Sequence, residues 1–298
     1  MIRDAEIRRR ARVAGVEPRT MELDYALGWA LRGLAWHPYL ARRLVFKGGT
    51  CLRKCYFPDY RFSEDLDFTS TRSFGLEALE GAVTEAFAEA QKASAINFAA
   101  RSPRVRVIDD EYGRETLRFT IYWRGPHASG GSPPGLRLDI TRNEVLAFAP
   151  VSRSMFHPFS DADDLGEVHL RCYALEEVMA EKVRAVLGQR IYAVSRDLYD
   201  IFSLLEHADE RKVKAGLPGK FDAREVGLEA IRPRRLTERK EEFRADWERS
   251  LAALLPPGAE REFAEVWDGV ADYVERIVQE PCDARRASEG VGDGQETE

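Results

Sequence analysis

The sequence predicts a mixed α/β protein of two lobes: a small mixed sheet with helices, followed by a helical half. Three observations predict it. Short segments alternate with period two, as where Leu117, Phe119, Ile121 and Trp123 interleave with Arg118, Thr120 and Tyr122, the mark of strands buried on one face. Helical stretches precede and separate these strands, which disfavours an all-β sandwich. From Ala174 to about Gln279 the pattern is helical throughout.

Taken in order, residues 1–45 read as helical, with Leu23, Ala26, Leu27, Ala30, Leu31 and Leu34 near helical spacing and Pro38 as a break or a helix start. A second helix begins at Gly49-Thr50 and stops before Pro58. Residues 62–69 read as a strand. Residues 75–92 are helical again through Leu76, Leu79, Val83, Phe87 and Ala90. Three strands follow: Arg104–Ile108, residues 117–123 and Leu136–Thr141, with a Gly, Pro and Ser-rich loop at Gly125–Gly135. The expected division is residues 1–165 for the mixed lobe, 166–283 for the helical lobe and 284–298 for a disordered tail, which has no large apolar residue.

Composition excludes several classes. The 298 residues carry 45 Lys+Arg against 51 Asp+Glu, a net charge of −6, which argues against coating nucleic acid by bulk charge. No apolar run approaches the ~18 residues of a membrane span, and the charged Met1–Arg10 stretch does not read as a secretory leader. Four cysteines in so long a chain do not make a disulfide framework, so a reducing cytoplasm is the simpler setting. Basic residues nevertheless cluster: Arg8 to Arg10; Arg42, Arg43, Lys47, Arg53, Lys54 and Arg61; and Arg232, Arg234, Arg235, Arg239 and Lys240. Such clusters are either solvated helix faces or local anion sites.

The chemistry concentrates in Phe46 to Thr69, FKGGTCLRKCYFPDYRFSEDLDFT. Gly48-Gly49 before a helix starting at Thr50 is either a tight turn or a place where free backbone N–H groups meet a phosphate. On a strand, Asp65 and Asp67 point to one face and Leu66 and Phe68 to the other. Two such carboxylates repel one another, so they mark either a solvent-facing acidic edge or a divalent cation site, and Mg²⁺ favours oxygen ligands with substrate phosphates. Asp139 breaks the tie. It lies on the polar face of Leu136–Thr141 with Arg137 and Thr141, in a strand where Asp is otherwise unfavourable. Two carboxylates on one strand and a third on a neighbour would make a two-metal phosphoryl- or nucleotidyl-transfer site.

In the helical half, Lys182 falls within the apolar stripe of Leu175, Val178, Met179, Val183 and Val186. It either snorkels or reaches a polyphosphate. Asp197 and Asp200 in RDLYDI are one turn apart, a pattern that helix N-terminal acidity also explains. Cys51 and Cys55 lie at i, i+4, with Cys172 or His169 far along the chain, so zinc is disfavoured because its motifs usually show two tight pairs.

FKGGT-x-L-R-K, RFSEDLDF, LRLDITR, EK-V-RA and RDLYDI occur in that order over residues 40–205. Together they resemble the AbiEii-type nucleotidyltransferase toxins, MenT-like proteins of the DNA polymerase beta nucleotidyltransferase superfamily. The resemblance implies a bilobed fold, a polymerase-beta-like core with a helical second lobe and the site in the cleft between them. It implies a bacterial toxin of a toxin–antitoxin or phage-defence system, with a cognate antitoxin. The implied reaction is Mg²⁺-dependent transfer of NMP from an NTP to an RNA 3′-hydroxyl, with the tRNA acceptor end as the expected target.

By the same resemblance, Gly48, Gly49 and Thr50 hold the NTP phosphates with Arg53 nearby, and Asp65 and Asp67 ligate Mg²⁺. Asp139 is the third carboxylate, Lys182 binds triphosphate, and Asp200 rather than Asp197 is the second-lobe aspartate. Ser63 matches a serine that antitoxin kinases phosphorylate in some relatives. The basic clusters would hold the acceptor RNA. Nucleotidyl transfer to a protein or small molecule, phosphotransfer, and a non-catalytic interaction module are the alternatives.

Overall fold

Pro18, whose missing N–H costs nothing at a helix start, opens a 19-residue helix that is buried on nearly every side. A computed structural model of the chain describes residues 1–109, 115–127, 130–142, 144–189, 192–222 and 234–278. The expected tail at 284–298 lies outside the described residues. Helices α1 (Asp4–Val13), α2 (Pro18–Trp36) and the single turn α3 (Pro38–Ala41) fill the N-terminal region read as helical. That region ends in a strand, β1 (Leu44–Lys47), which passes into α4 (Gly48–Cys51) and a π-helical turn to Tyr56.

Next come β2 (Asp65–Ser70), α5 (Leu76–Ser94), β3 (Asn97–Asp109), β4 (Glu115–Arg124) and β5 (Gly135–Thr141). Short β6 (Val151–Ser154), α6 (Ala162–Leu165) and β7 (His169–Cys172) precede the helical half. Among the described residues seven strands form one sheet, in the order β3-β4-β5-β2-β1-β7-β6. Pairs β2–β5 and β1–β7 are parallel and the others antiparallel. The sheet therefore runs to Cys172, and the continuous helical half begins at α7 (Leu175–Arg184).

Each face of the sheet has its own core. On one face Phe46, Leu66, Phe68, Leu117 and Leu138 pack with α1, α2 and α5, whose Leu79, Val83, Phe87 and Ala90 recur at helical spacing. On the other face Val45 and Tyr173 join the helical half. That half comprises α7, α8 (Ser195–Leu204), α9 (Glu210–Asp222), α10 (Arg234–Thr237), α11 (Lys240–Asp246) and α12 (Phe263–Val278). Burying each large apolar side chain stabilises by roughly 1.5–3 kcal/mol. Because alternation sends Leu66 and Phe68 into the first core, Asp65 and Asp67 must face the second. The carboxylates thus look toward the helical lobe.

Candidate active site

Strand register brings the carboxylates together. In the parallel pair β2–β5, Asp67 stands opposite Asp139 and Asp65 opposite Arg137, while on the other side of β2 Lys47 stands opposite Asp67. Lys47, Asp65, Asp67 and Asp139 border a cleft of about 500 Å³, closed on the far side by Glu181, Lys182 and Arg184 of α7 and by Arg196 and Asp197 of α8.

Two of the three aspartates are held by arginines. Asp65 accepts from Arg137 Nε at 2.6 Å and Nη2 at 2.8 Å. Asp139 accepts from Arg118 Nε at 2.8 Å and Nη2 at 2.6 Å, directly across from it on β4. Hydrogen bonding to Asp139 raises the pKa of Arg118 further above its ordinary value. Asp67 receives no such partner among the described residues. Burial, then the charge of Asp65, pushes its carboxyl up to about 6 against the opposing pull of Lys47. Lys47 is itself committed to Glu181 at 3.1 Å. Although burial favours the neutral acid, Lys47 and Lys220 hold Glu181 down at about 2.

The turn that delivers Lys47 needs its glycines for close approach. Gly48 sits at φ +77°, and a Cβ there would lie 2.7 Å from Asp67 Oδ2. A Cβ at Gly49 would run into the Arg61 guanidinium. Both glycines border the cleft. Thr50 does not: its hydroxyl donates to the backbone oxygen of Asp65 at 2.5 Å, pinning the start of β2.

Other expected site residues are placed differently. Arg53 was expected near the phosphates, but it lies in the first lobe's interior. It donates to Asp24 at 2.8 Å and stacks 3.6 Å from the centre of the Phe62 ring. Lys54 takes the other oxygen of Asp24 at 2.8 Å, and despite burial the two cations hold that carboxyl at about 2. Lys182 does reach the cleft, where its Nζ lies 2.5 Å from Asp197 and 2.9 Å from Asp200. Asp200, expected as the functional aspartate of the pair, is fully buried beneath the cleft wall. It accepts from Arg61 Nε and Nη2 at 2.7 Å each and from the Tyr60 hydroxyl at 2.9 Å. It is Asp197 that lines the cleft. Ser63 lines it too, two residues before Asp65.

Residues that sequence reasoning passed over as site members include Arg118, Arg137, Glu181, Arg184 and Arg196. The signal for Arg118 and Arg137 was present, since alternation places both on the polar face of their strands. Glu181 and Arg184 stand in the EK-V-RA segment, but a helical period does not say which of its polar residues faces a neighbouring lobe.

Asp65, Asp67 and Asp139, oxygen donors on adjacent strands, would suit a hard divalent cation, for which Asp65 and Asp139 would each give up a guanidinium. Among the described residues, the only three metal-capable side chains with ligand atoms within 4.8 Å of one another are elsewhere. They are Cys51, Cys55 and Cys172, buried together on the first-core side of the sheet. In the sequence, chain distance argues against this grouping, yet the third thiol arrives on β7, the strand beside β1.

Over residues 29–269 the sequence matches the family model of the nucleotidyl transferase AbiEii toxins of type IV toxin–antitoxin systems. The chain belongs to that family. The AbiEii chain is accordingly a nucleotidyltransferase and a toxin, with a nucleotide substrate and an antitoxin partner.

Its fold is similar to that of MenT4, a nucleotidyltransferase toxin from Mycobacterium tuberculosis H37Rv. The two are 23% identical over 96% of this chain and 93% of that one, with a TM-score of 0.63. It is also similar to JHP933 from Helicobacter pylori, 18% identical over 93% of this chain and 97% of that one, TM-score 0.54. No curated protein matches the sequence. No helix among the described residues is long and apolar enough to cross a membrane.

Proposed function

We propose that this AbiEii protein transfers the nucleotidyl group of an NTP to the 3′-hydroxyl of an RNA, with the tRNA acceptor end as the expected target, and so stops translation. The observation that carries the proposal is the facing of Asp67 and Asp139 on parallel strands, with Asp65 beside them, across a cleft from cationic side chains of α7 and α8. The 3′-oxygen attacks the α-phosphorus, the bond from that phosphorus to the β-phosphate bridging oxygen breaks, and pyrophosphate leaves. Asp65, Asp67 and Asp139 would hold Mg²⁺, which supplies charge neutralisation and a more acidic attacking hydroxyl. Asp139 accepts the hydroxyl's proton, and the Gly48-Gly49 backbone at the cleft edge meets the phosphates beside Asp67. Catalysis is then mostly positioning and preorganised charge.

Lys182 is held by two aspartates and Arg184 by Glu144 at 3.2 Å. Arg196 borders the cleft with no ion partner among the described residues, so it is the cation most ready for the triphosphate. Arg196→Ala is expected to raise KM for NTP about tenfold or more while kcat falls less, because a charge-assisted hydrogen bond contributes roughly 1.5–3 kcal/mol. Steady-state kinetics with varied NTP read this. A phosphate on Ser63 would add about −1.5 to −2 charge beside Asp65 and repel the triphosphate. Ser63→Glu is expected to show the same sign of effect on NTP affinity, measured by equilibrium binding of Mg²⁺–NTP.

The deciding experiment incubates the protein with total tRNA, Mg²⁺ and each α-³²P-labelled NTP in turn, with Asp65→Ala as the blank. Label on tRNA from wild type alone supports the proposal. Label on protein, or on a small molecule, moves the acceptor to that class. Label carried only by γ-³²P would make the reaction a phosphotransfer.

A further inference from the structure

Beyond the carboxylates the sheet continues outward through β5, β4 and β3, and its cleft-side face changes character. Alternation buries Leu117, Phe119, Ile121 and Trp123 and turns Arg118, Thr120, Tyr122 and Arg124 to the opposite face. Register adds to that face from both sides. Arg106 stands opposite Arg118, Arg104 opposite Thr120 and Arg101 opposite Tyr122, while Arg137 of β5 is also opposite Thr120. The guanidinium groups of Arg101 and Arg104 lie 5.0 and 6.0 Å from the centre of the Tyr122 ring. Among the described side chains of these three strands, the single carboxylate is Asp139.

Arg101, Arg104 and Arg106 are exposed and form no ion pair with any described residue. Like charges directly across a strand pair oppose folding, and Arg106 facing Arg118 is such a pair. An exposed sheet face that accumulates cations against this cost, and leads straight to a phosphate-chemistry site, suits a polyanion. Its run from Arg118 to Arg124 covers about 20 Å at ~3.4 Å per residue, roughly the length of six stacked nucleotides.

We propose that this arginine face of β3 and β4 holds the sugar–phosphate backbone of the acceptor RNA while its 3′ end enters the carboxylate cleft, with Tyr122 as an aromatic surface under the strand. The inference rests on the RNA-acceptor reading above. It also relocates the RNA contact, since most of the middle basic cluster seen in the sequence is spent on internal pairs: Arg53 and Lys54 with Asp24, Arg61 with Asp200, and Lys47 with Glu181.

The test uses the full chain with deacylated total tRNA as probe. Binding is measured from 50 to 300 mM KCl, and transfer kinetics with varied tRNA are measured alongside. Each phosphate contact contributes close to one unit of slope in log K against log salt. Arg101→Ala/Arg104→Ala/Arg106→Ala is therefore expected to flatten the slope by two to three units and to raise KM for tRNA at least tenfold. KM for NTP and kcat at saturating tRNA should stay at wild-type values. The corresponding triple Lys variant should recover most of the slope, and Arg211→Ala/Arg261→Ala, exposed on the helical half and outside every basic cluster, should change nothing. A triple Ala variant with wild-type slope and KM overturns the surface while leaving RNA transfer standing. A wild-type protein that neither binds nor labels tRNA overturns the acceptor reading, and this inference with it.

Discussion

Asp67→Asn is expected to lose nucleotidyl transfer by roughly three orders of magnitude and, in EDTA at pH 7.5, to unfold at a higher temperature than wild type. The two effects share one cause. Burial and the neighbouring Asp65 raise the Asp67 carboxyl from the ordinary carboxylate range to about 6, so the fold favours its protonated form. A carboxyl raised in the folded state weakens stability as pH climbs from about 4, its unfolded value, to about 6, and the full cost persists above that. A rise of that size corresponds to about 3 kcal/mol at most. Because Asp67 keeps part of its surface in the cleft, solvent screening reduces this to roughly 1–2 kcal/mol.

Asparagine has nearly the same shape and cannot ionise, so the variant should gain a few degrees in Tm at pH 7.5 and nothing at pH 4. Mg²⁺ should stabilise wild type at pH 7.5, as any ligand selective for the native state does, and leave Asp67→Asn almost unmoved. Differential scanning calorimetry at the two pH values, with and without Mg²⁺, separates the effects. Retained transfer, or a Tm difference that ignores pH, would remove Asp67 from the centre of the site.

What could be read from the sequence was whatever depends on local period. The three aspartates were legible because a strand's period of two forces Asp65 and Asp67 onto one face and separates Asp139 from Leu138 and Ile140. The long helices α2, α5 and α12 were legible for the same reason at period 3.6. Strands β1, β6 and β7 were not, because each has four residues, fewer than a period needs to declare itself. Register was also hidden. That Asp67 faces Asp139, and that Arg106 faces Arg118, depends on pairing between segments far apart in sequence. Arg53 shows the limit of family analogy, since it sits five residues beyond Gly48 yet points into the first core, where Asp24 of α2 receives it. A helical turn rotates successive side chains by about 100°, so nearness along the chain does not keep two residues on one face.

The pair Asp197 and Asp200 is where the fold most changes the assignment, and Asp200→Asn is expected to be a folding variant before it is a catalytic one. The Asp200 carboxylate takes two bonds from Arg61, one from Tyr60 and a contact from Lys182, all at 2.7–2.9 Å and all out of solvent. Tyr60 and Arg61 belong to the segment between the π-helical turn and β2, whereas Asp200 and Lys182 belong to α8 and α7. One carboxylate therefore ties the sheet lobe to the helical lobe. Burial alone would raise its pKa, yet Arg61 and Lys182 hold it far below the ordinary carboxylate value.

By the sign of that shift, Asp200 stabilises the fold throughout the range above about pH 4, and its contribution fades only in stronger acid. Removing its charge leaves Arg61 and Lys182 buried with one compensating anion fewer, a change that typically costs about 3–5 kcal/mol. Asp197→Asn, by contrast, removes one partner of Lys182 at the cleft wall and keeps the Arg61 clamp. It should cost under about 2 kcal/mol while altering NTP affinity more than Tm. Urea unfolding of both variants at pH 7.5 compares these costs directly. If Asp200→Asn were as stable as wild type but inactive, Asp200 would have a chemical role that its burial beneath the cleft wall argues against. If instead the stability loss falls on Asp200 and the change in NTP affinity on Asp197, the aspartate one turn nearer the N-terminus of α8 is the one that meets the substrate.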